Sequence, residues 1–291
     1  SSFVFHARMK TYIRKIKDEV CNLNRNQLLQ LDQAIRHWLK GLDDIIPKLI
    51  ADMHTETKAN QFDLVTNVDQ MIQDQFDAFL KEHYPSHELF AEEKNNDLVD
   101  AKHGDVWIMD PIDGTANLVK QKTDYCIILS YFSEGQPMLA YIYDYPHHTL
   151  YKAIRDEGAF ENEVRMPKVP SLDISEMILS YNPYVLNDHT QADLKAAAFS
   201  YRLIGACGLD SLRVMKGQFG AHINTNAKPW DISAQFLFAK ELDLKMTNLD
   251  NEPIDFAVGG PFIISNKGCH EAVLEILNQK GGYQVNKITK T

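Results

Sequence analysis

Two aspartates three residues apart, Asp110 and Asp113, close an apolar, β-prone run and are followed at once by Gly114 and Thr115. Carboxylates at this spacing offer hard oxygens to divalent cations, and the Ile112 carbonyl between them offers another. Val106 to Met109 reads as a buried strand. Pro111 cannot continue a strand ladder, so a turn is expected there. Gly114 permits close backbone approach, and Thr115 to Asn117 can begin a helix. The free N–H groups of a helix start are a natural seat for phosphate. The stretch reads as a metal-plus-phosphate site.

Competing chemistries fit less well. A dehalogenase-type phosphatase also places Asp-Gly-Thr after a strand, but its nucleophilic aspartate lies two residues before the second Asp, where this chain has Pro111. A calcium loop opening at Asp110 needs acidic or amide residues at its third and fifth places, Gly at the sixth and Glu at the twelfth. This chain offers Ile112, Gly114, Thr115 and Gln121. Taken alone, the stretch also reads as a turn with two solvated aspartates.

More carboxylates stand at element ends. Ala91-Glu92-Glu93 follows a short apolar strand, which suits Glu92 facing a site with Glu93 supporting it, although adjacent glutamates usually just point into solvent. Asp63-Leu64-Val65-Thr66-Asn67-Val68-Asp69 places Asp69 at or just before a helix start, where a carboxylate also complements the helix dipole. In Trp230-Asp231-Ile232-Ser233-Ala234, Asp231 precedes an apolar helical run; it can cap with one oxygen and bind metal with the other. The histidines, including His147-His148, show no ligand spacing and read as surface or packed side chains. Cys21, Cys126, Cys207 and Cys269 lack zinc or Cys-x-x-Cys spacing. They read as reduced core thiols, and a cytoplasmic location is expected.

Taken in chain order across residues 58 to 234, these four motifs resemble the inositol monophosphatase family of magnesium-dependent, lithium-sensitive phosphatases, in its bacterial type. The resemblance implies a layered αβαβα sandwich, a homodimer, and a phosphomonoesterase that hydrolyses a small sugar or polyol phosphate, such as inositol monophosphate, with a metal-activated water. It implies that Glu92, Asp110 and the Ile112 carbonyl hold one Mg²⁺, that Asp110, Asp113 and Asp231 hold a second, and that Glu92 serves a looser third. Mn²⁺ would substitute, and Ca²⁺ and Li⁺ would inhibit. It further assigns phosphate to the Gly114 and Thr115 amides, water activation to Thr115 Oγ with Asp69, a supporting catalytic role to Glu93, and a place near the phosphate to Lys58, five residues before Asp63. Asp113 and Asp231 would also face substrate.

The departures bear on substrate. Where animal members carry a glutamate seven residues before the late aspartate, this chain has Asn224, and the upstream Gly-Thr/Ser-Ala-Ala becomes Gly205-Ala206-Cys207-Gly208-Leu209-Asp210. Cys207, Asp210 and Asn224 are therefore expected to change the pocket's hydroxyl contacts. NADP(H), adenosine bisphosphate and fructose 1,6-bisphosphate stand as alternative substrates. A non-catalytic binding protein on the same fold is the other alternative; its hallmark would be loss of a metal carboxylate or of Thr115, all of which are retained.

The elements that must position these residues follow from pattern. A chain of 291 residues is long enough for one large domain or two packed subdomains. No apolar run approaches the roughly 20 residues of a membrane span, so no membrane partner is expected. A net charge of -10 argues against a nucleic-acid polymer, while bound cations can still make an acidic protein hospitable to a phosphorylated metabolite. Ser1 to Arg8 reads as an extension ahead of Met9, and Lys10 to Lys17 as a solvated helix face. Leu28 to Leu49 recur at helical spacing, predicting one helix over about 26 to 53 and a second from Met71 to Leu80. Leu89-Phe90, Cys126 to Phe132, Met138 to Tyr143 and Leu150 to Ile154 read as strands, the last three antiparallel, with a polar loop from Asn95 to Gly104. Beyond about residue 165, strands at Met177 to Ser180, Tyr201 to Ile204, Ala221 to Ile223 and Phe262 to Ser265 alternate with helices near Gln191 to Ala198, Leu209 to Lys216, Asp231 to Leu242 and His270 to Leu277. The expected fold is α+β / α/β: an extension over 1–25, an α+β subdomain with an antiparallel sheet over 26–165, and an α/β subdomain with a largely parallel sheet over 166–291.

Overall fold

A computed structural model of the chain describes residues 24–58 and 64–285. Lys10 to Lys17, Cys21 and Asp63 lie outside them. The described residues form two compact units, one ending at Ala51 and the other beginning at Asp52. In the first, helix α1 runs through residues 24–41, a 3₁₀ turn covers Leu42–Asp44, and α2 spans Ile46–Ala51. One unbroken helix was expected. Pro47 explains the break, because it has no N–H and its ring excludes the carbonyl four residues earlier. The Ile45 N–H turns instead to the Leu42 carbonyl at 3.0 Å.

The second unit begins with a hairpin, β1 (Thr55–Thr57) and β2 (Leu64–Thr66), and then α3 (Asn67–His83). A seven-stranded sheet follows, built from β3 (Glu88–Ala91), β4 (Asp105–Asp113), β5 (Cys126–Ser133), β6 (Gln136–Asp144), β7 (Thr149–Ile154), β8 (Gly158–Glu161) and β9 (Val164–Arg165), in sequence order. Only the β3–β4 pair is parallel. The short helix α4 (Thr115–Gln121) bridges β4 and β5.

The second sheet carries β10 (Ile178–Tyr181), β11 (Ser200–Arg202), β12 (Phe219–Ala227), β13 (Lys245–Thr247) and β14 (Gly260–Ser265) in the order β11-β10-β12-β14-β13. Four of its strands run one way. Only β14 runs against its neighbours, antiparallel to both β12 and β13. Helices α5 (Asp188–Ala197), α6 (Cys207–Met215), α7 (Pro229–Glu241) and α8 (Lys267–Asn278) connect or flank these strands.

Within this unit the layers are α3 on β3 and β4, the seven-stranded sheet, α6 with α7, the five-stranded sheet, and α8 with α5. The main core lies between the sheets, where Ile128, Ile142, Leu212, Leu237, Phe238 and Phe262 are buried together. A second core joins Leu179, Ile223 and Ile263 to Val273 and Leu277 of α8. Val68, Ile72, Phe76 and Leu80 recur every fourth residue on α3 and are fully buried. Phe76 meets Trp107 of β4 edge-on at 5.5 Å. That packing fixes the start of α3, and with it Asp69.

The expected turn at Pro111 is instead a bulge inside β4. Asp110 pairs with Ile128 and Asp113 with Cys126, so two residues of β4 oppose one of β5. Proline has no N–H for the ladder, and the irregularity falls where that donor is missing. The strand then resumes at Asp113, and both aspartates stay on one rigid element.

Candidate active site

Asp110 is 3% exposed, and its Oδ1 accepts the Ile112 N–H at 3.0 Å across the bulge. Asp113 ends the strand against the N-terminus of α6. Its Oδ1 accepts the Cys207 N–H at 3.0 Å, its Oδ2 accepts the Gly208 N–H at 2.7 Å, and the Cys126 thiol approaches Oδ2 at 3.3 Å. A side chain at Gly208 would lie 2.8 Å from that sulfur, which explains the glycine. Asp231 sits at the third position of α7, and its Oδ2 accepts the Lys228 N–H at 2.7 Å. One oxygen thus caps the helix and leaves the other for the site. Oxygens of Asp110, Asp113 and Asp231 all lie within 4.8 Å of one another.

Three carboxylates this close repel, and burial compounds the effect. Burial first, then Glu92, Asp113 and Asp231, drive Asp110 well above the usual carboxylate range. Asp113 is pushed up to about 6 by burial, against the opposing pull of the Gly208 and Cys207 amides. Asp231 is pushed up to about 7 by burial, with Asp113 and Glu92 adding to it. No described Lys or Arg forms an ion pair with any of the three. A compact set of hard oxygens with unrelieved charge fits a divalent cation of the Mg²⁺ type.

Glu92 stands beside the triad, its N–H bonded to the Met109 carbonyl at 3.2 Å. Lys58 Nζ reaches Glu92 Oε1 at 2.8 Å and also bonds Glu93. Burial would lower the lysine, but the two glutamates outweigh it and hold it above its ordinary value. Lys58 therefore bridges the acidic pair. The Glu93 N–H is bound by Gln73 Oε1 at 2.9 Å, which ties this loop to α3.

Gly114 caps α4 in the left-handed region at φ 91°, and a Cβ there would lie 2.9 Å from Ala206 Cβ and 3.1 Å from the Asp124 carbonyl. Only glycine fits. Thr115, first in the helix, places Oγ1 3.0 Å from Asp69 Oδ1 and 2.9 Å from the Ile112 carbonyl. Asp69 is fully buried, and its Oδ2 accepts from Thr66 N at 2.9 Å and Thr66 Oγ1 at 2.5 Å in a capping box. Burial raises this carboxyl, and the Thr66 and Thr115 hydrogen bonds pull the other way.

A cleft of about 340 Å³ opens beside Asp113 and Asp231 and is lined by Ala206, Cys207, His222 and Asn224 among others. Asn224 Oδ1 accepts the Asn226 N–H at 2.9 Å, while its Nδ2 lies 3.8 Å from Cys207 Sγ. Asp210 belongs to the same wall but is 1% exposed. Its carboxylate takes Ser180 Oγ at 2.7 Å and the Ile204 and Gly205 N–H groups at 3.0 Å each. It ties the 204–206 turn to β10.

Several residues of this architecture carry no signal in the linear sequence. Ser180 and His222 come from strands 42 residues apart yet meet at 2.9 Å. Asn117 holds the Asp124 and Ile204 carbonyls at 2.8 and 3.0 Å and so binds α4 to the 204–206 turn. Along β12 the Ile223 side chain packs in the core shared with α8, while His222 and Asn224, on alternate positions, line the cleft.

The model of the inositol monophosphatase family matches residues 30–281. A staphylococcal inositol monophosphatase-1 structure from crystals soaked in 100 mM LiCl is 63% identical, covering 88% of this chain and 97% of that one, with a TM-score of 0.87. A structure of an IMPase/NADP phosphatase complexed with NADP and Ca²⁺ at pH 7.0 is also 63% identical, covering 89% of this chain and 98% of that one, with a TM-score of 0.88. Inositol-1-monophosphatase of Bacillus subtilis (strain 168) is 29% identical over 253 residues, 84% of this chain and 96% of that protein.

Proposed function

This chain belongs to the inositol monophosphatase family and is a phosphomonoester hydrolase, and from that premise we propose that it hydrolyses small sugar or polyol phosphates, inositol monophosphate among them, in a Mg²⁺-dependent reaction. The observation that carries the reading is the buried triad of Asp110, Asp113 and Asp231 set against the N-terminus of α4. Asp110, Asp113, Asp231, Glu92 and the Ile112 carbonyl would hold the cations, two or three in number. Such cations neutralise phosphate oxygens and lower the pKa of water at the site.

The chain's own groups do the rest. The Gly114 and Thr115 amides present N–H groups to the phosphate. A water at Thr115 Oγ1 gives its proton through that hydroxyl to Asp69 Oδ1, 3.0 Å away. Lys58 holds Glu92 and Glu93 in place at the rim. Because Lys58 spans both glutamates, it moderates charge at the mouth of the site.

A second reading, phosphate removal from an NADP-type substrate, is favoured by Asn224. Its oxygen is taken by the Asn226 N–H, so the group left for the cleft is an NH₂ donor. A donor suits a substrate richer in anionic oxygens than inositol phosphate. Charged hydrogen bonds contribute roughly 1.5–3 kcal/mol against about 1 for neutral ones. Asn224→Glu should therefore shift relative kcat/KM toward inositol 1-phosphate and away from NADP by roughly tenfold. Phosphate release from both substrates decides it, and an unchanged ratio would remove Asn224 from the substrate wall.

The proposed working form is a homodimer in the cytoplasm, which the family resemblance and the unpaired thiols Cys126, Cys207 and Cys269 support. Sedimentation at micromolar concentration should give twice the 33.3 kDa of one chain. A single-chain mass would reject the dimer.

A further inference from the structure

Behind the cleft wall, a hydrogen-bonded chain links Asp210, Ser180, His222 and Cys207. The Ser180 hydroxyl donates to Asp210 Oδ1 at 2.7 Å, so its oxygen is free to accept from His222 Nδ1 at 2.9 Å. That assigns the ring proton to Nδ1. The lone pair of Nε2 is left pointing at Cys207 Sγ, 3.6 Å away. Burial also lowers the basicity of His222, which keeps the ring neutral. The histidine is 3% exposed and the cysteine 9%, and both line the cleft.

A tetrahedral zinc bonded to sulfur at about 2.3 Å and to imidazole nitrogen at about 2.0 Å sets those two atoms about 3.5 Å apart. The observed 3.6 Å requires almost no rearrangement. An imidazole whose second nitrogen is fixed by a hydroxyl–carboxylate chain is also the arrangement that orients a metal-binding histidine. Burial first, and then the carboxylates of Asp231, Asp113 and Asp210, hold the Cys207 thiol well above its ordinary range, so its proton leaves only when a cation takes its place, and the same carboxylates attract that cation.

We propose that Cys207 Sγ and His222 Nε2 form a binding site for a thiophilic divalent cation such as Zn²⁺, separate from the triad of hard oxygens, and that its occupation blocks the substrate cleft. On binding, the Cys207 S–H bond breaks, its proton goes to solvent, and the thiolate displaces a water from the ion. Water fills the remaining positions. The ion would stand in the wall beside Asp113, whose carboxylate holds the Cys207 amide. It would therefore compete with substrate rather than with Mg²⁺.

The test uses the full chain in saturating Mg²⁺, with Co²⁺ as the spectroscopic probe. A thiolate-to-cobalt charge-transfer band should appear in the native protein, disappear on adding Zn²⁺, and be lost in both Cys207→Ser and Cys207→Ala. Ser180→Ala, which releases the imidazole, should weaken Co²⁺ binding by about 10–100-fold. Each protein's phosphate release is compared with its own zinc-free rate, and the half-inhibiting Zn²⁺ concentration should rise more than about tenfold in Cys207→Ser. Absence of the band, its persistence in Cys207→Ser, or unchanged zinc inhibition in that variant would overturn the proposal. The cobalt band needs no turnover, so it separates failure of this site from failure of the phosphatase reading.

Discussion

Asp113→Asn should lower kcat by at least about a thousandfold. Charge stabilisation by a bound cation is worth several kcal/mol, and each 1.36 kcal/mol is tenfold in rate. Asp113 is the ligand candidate most firmly held, with one carboxylate oxygen on each of two α6 amides. An asparagine keeps the volume but has only one acceptor oxygen, so a buried N–H of Cys207 or Gly208 loses its partner at a cost of about 1–3 kcal/mol. Asp110→Asn makes a clean contrast, because one amide oxygen suffices for the Ile112 N–H. It should lose activity to the same extent without that structural cost. Single-turnover phosphate release and urea unfolding of both variants measure the two effects, and a kcat within tenfold of native for Asp113→Asn would contradict the assignment.

The metal-free protein should lose thermal stability as pH rises from about 4 to about 7. Burial holds Asp113 near 6 and Asp231 near 7 in the folded chain, against an ordinary value of 3.8. A group raised in this way contributes its stability fully below the ordinary value and loses it as pH climbs through the raised one. Below the window the triad is protonated and compact; above it, repelling charges are confined within 4.8 Å. Mg²⁺ should reverse the loss. At a hundred times its Kd a ligand adds about 2.7 kcal/mol, or about 5–10 °C in Tm for a unit of this size. Melting curves between about pH 4 and pH 8, with and without Mg²⁺, should converge at the acid end and separate at the basic end. In Asp110→Asn the separation should shrink. A metal-free Tm that rises across the window would overturn the electrostatic account.

The two predictions share a cause that was only partly legible in the linear sequence. Asp110 and Asp113 announce themselves because they are local to one strand end, and Gly114-Thr115 because helix starts have their own chemistry. Asp231 enters through its helix-start position and the family resemblance, since 118 residues of chain separate it from Asp113. Most strands of the two sheets were legible as short apolar, β-rich runs, though β8, β9 and β13 were not, and with β14 alone reversed four strands of the second sheet run one way. Short edge strands such as β13, only Lys245–Thr247, carry too little pattern to read.

What escaped depends on partners distant in sequence. Nothing local says that the α6 amides will serve Asp113, or that Asp210, which reads as a free pocket carboxylate, will be occupied by three donors. Pro111 was legible as a disruption but not as a bulge, because whether a broken ladder turns or resumes is decided by the neighbouring strand. The strong apolar repeat predicts one helix running through Gly41 and Pro47, but proline's missing donor and ring clash settle the outcome.

In the proposed reaction, hydrolysis depends on divalent cations held by the Asp110, Asp113 and Asp231 triad. The most direct measurement is phosphate release from inositol 1-phosphate by one preparation assayed in turn with Mg²⁺, with excess chelator, and with Mg²⁺ restored. Turnover is expected in the first assay, none in the second, and recovery in the third. Full turnover in excess chelator would contradict it.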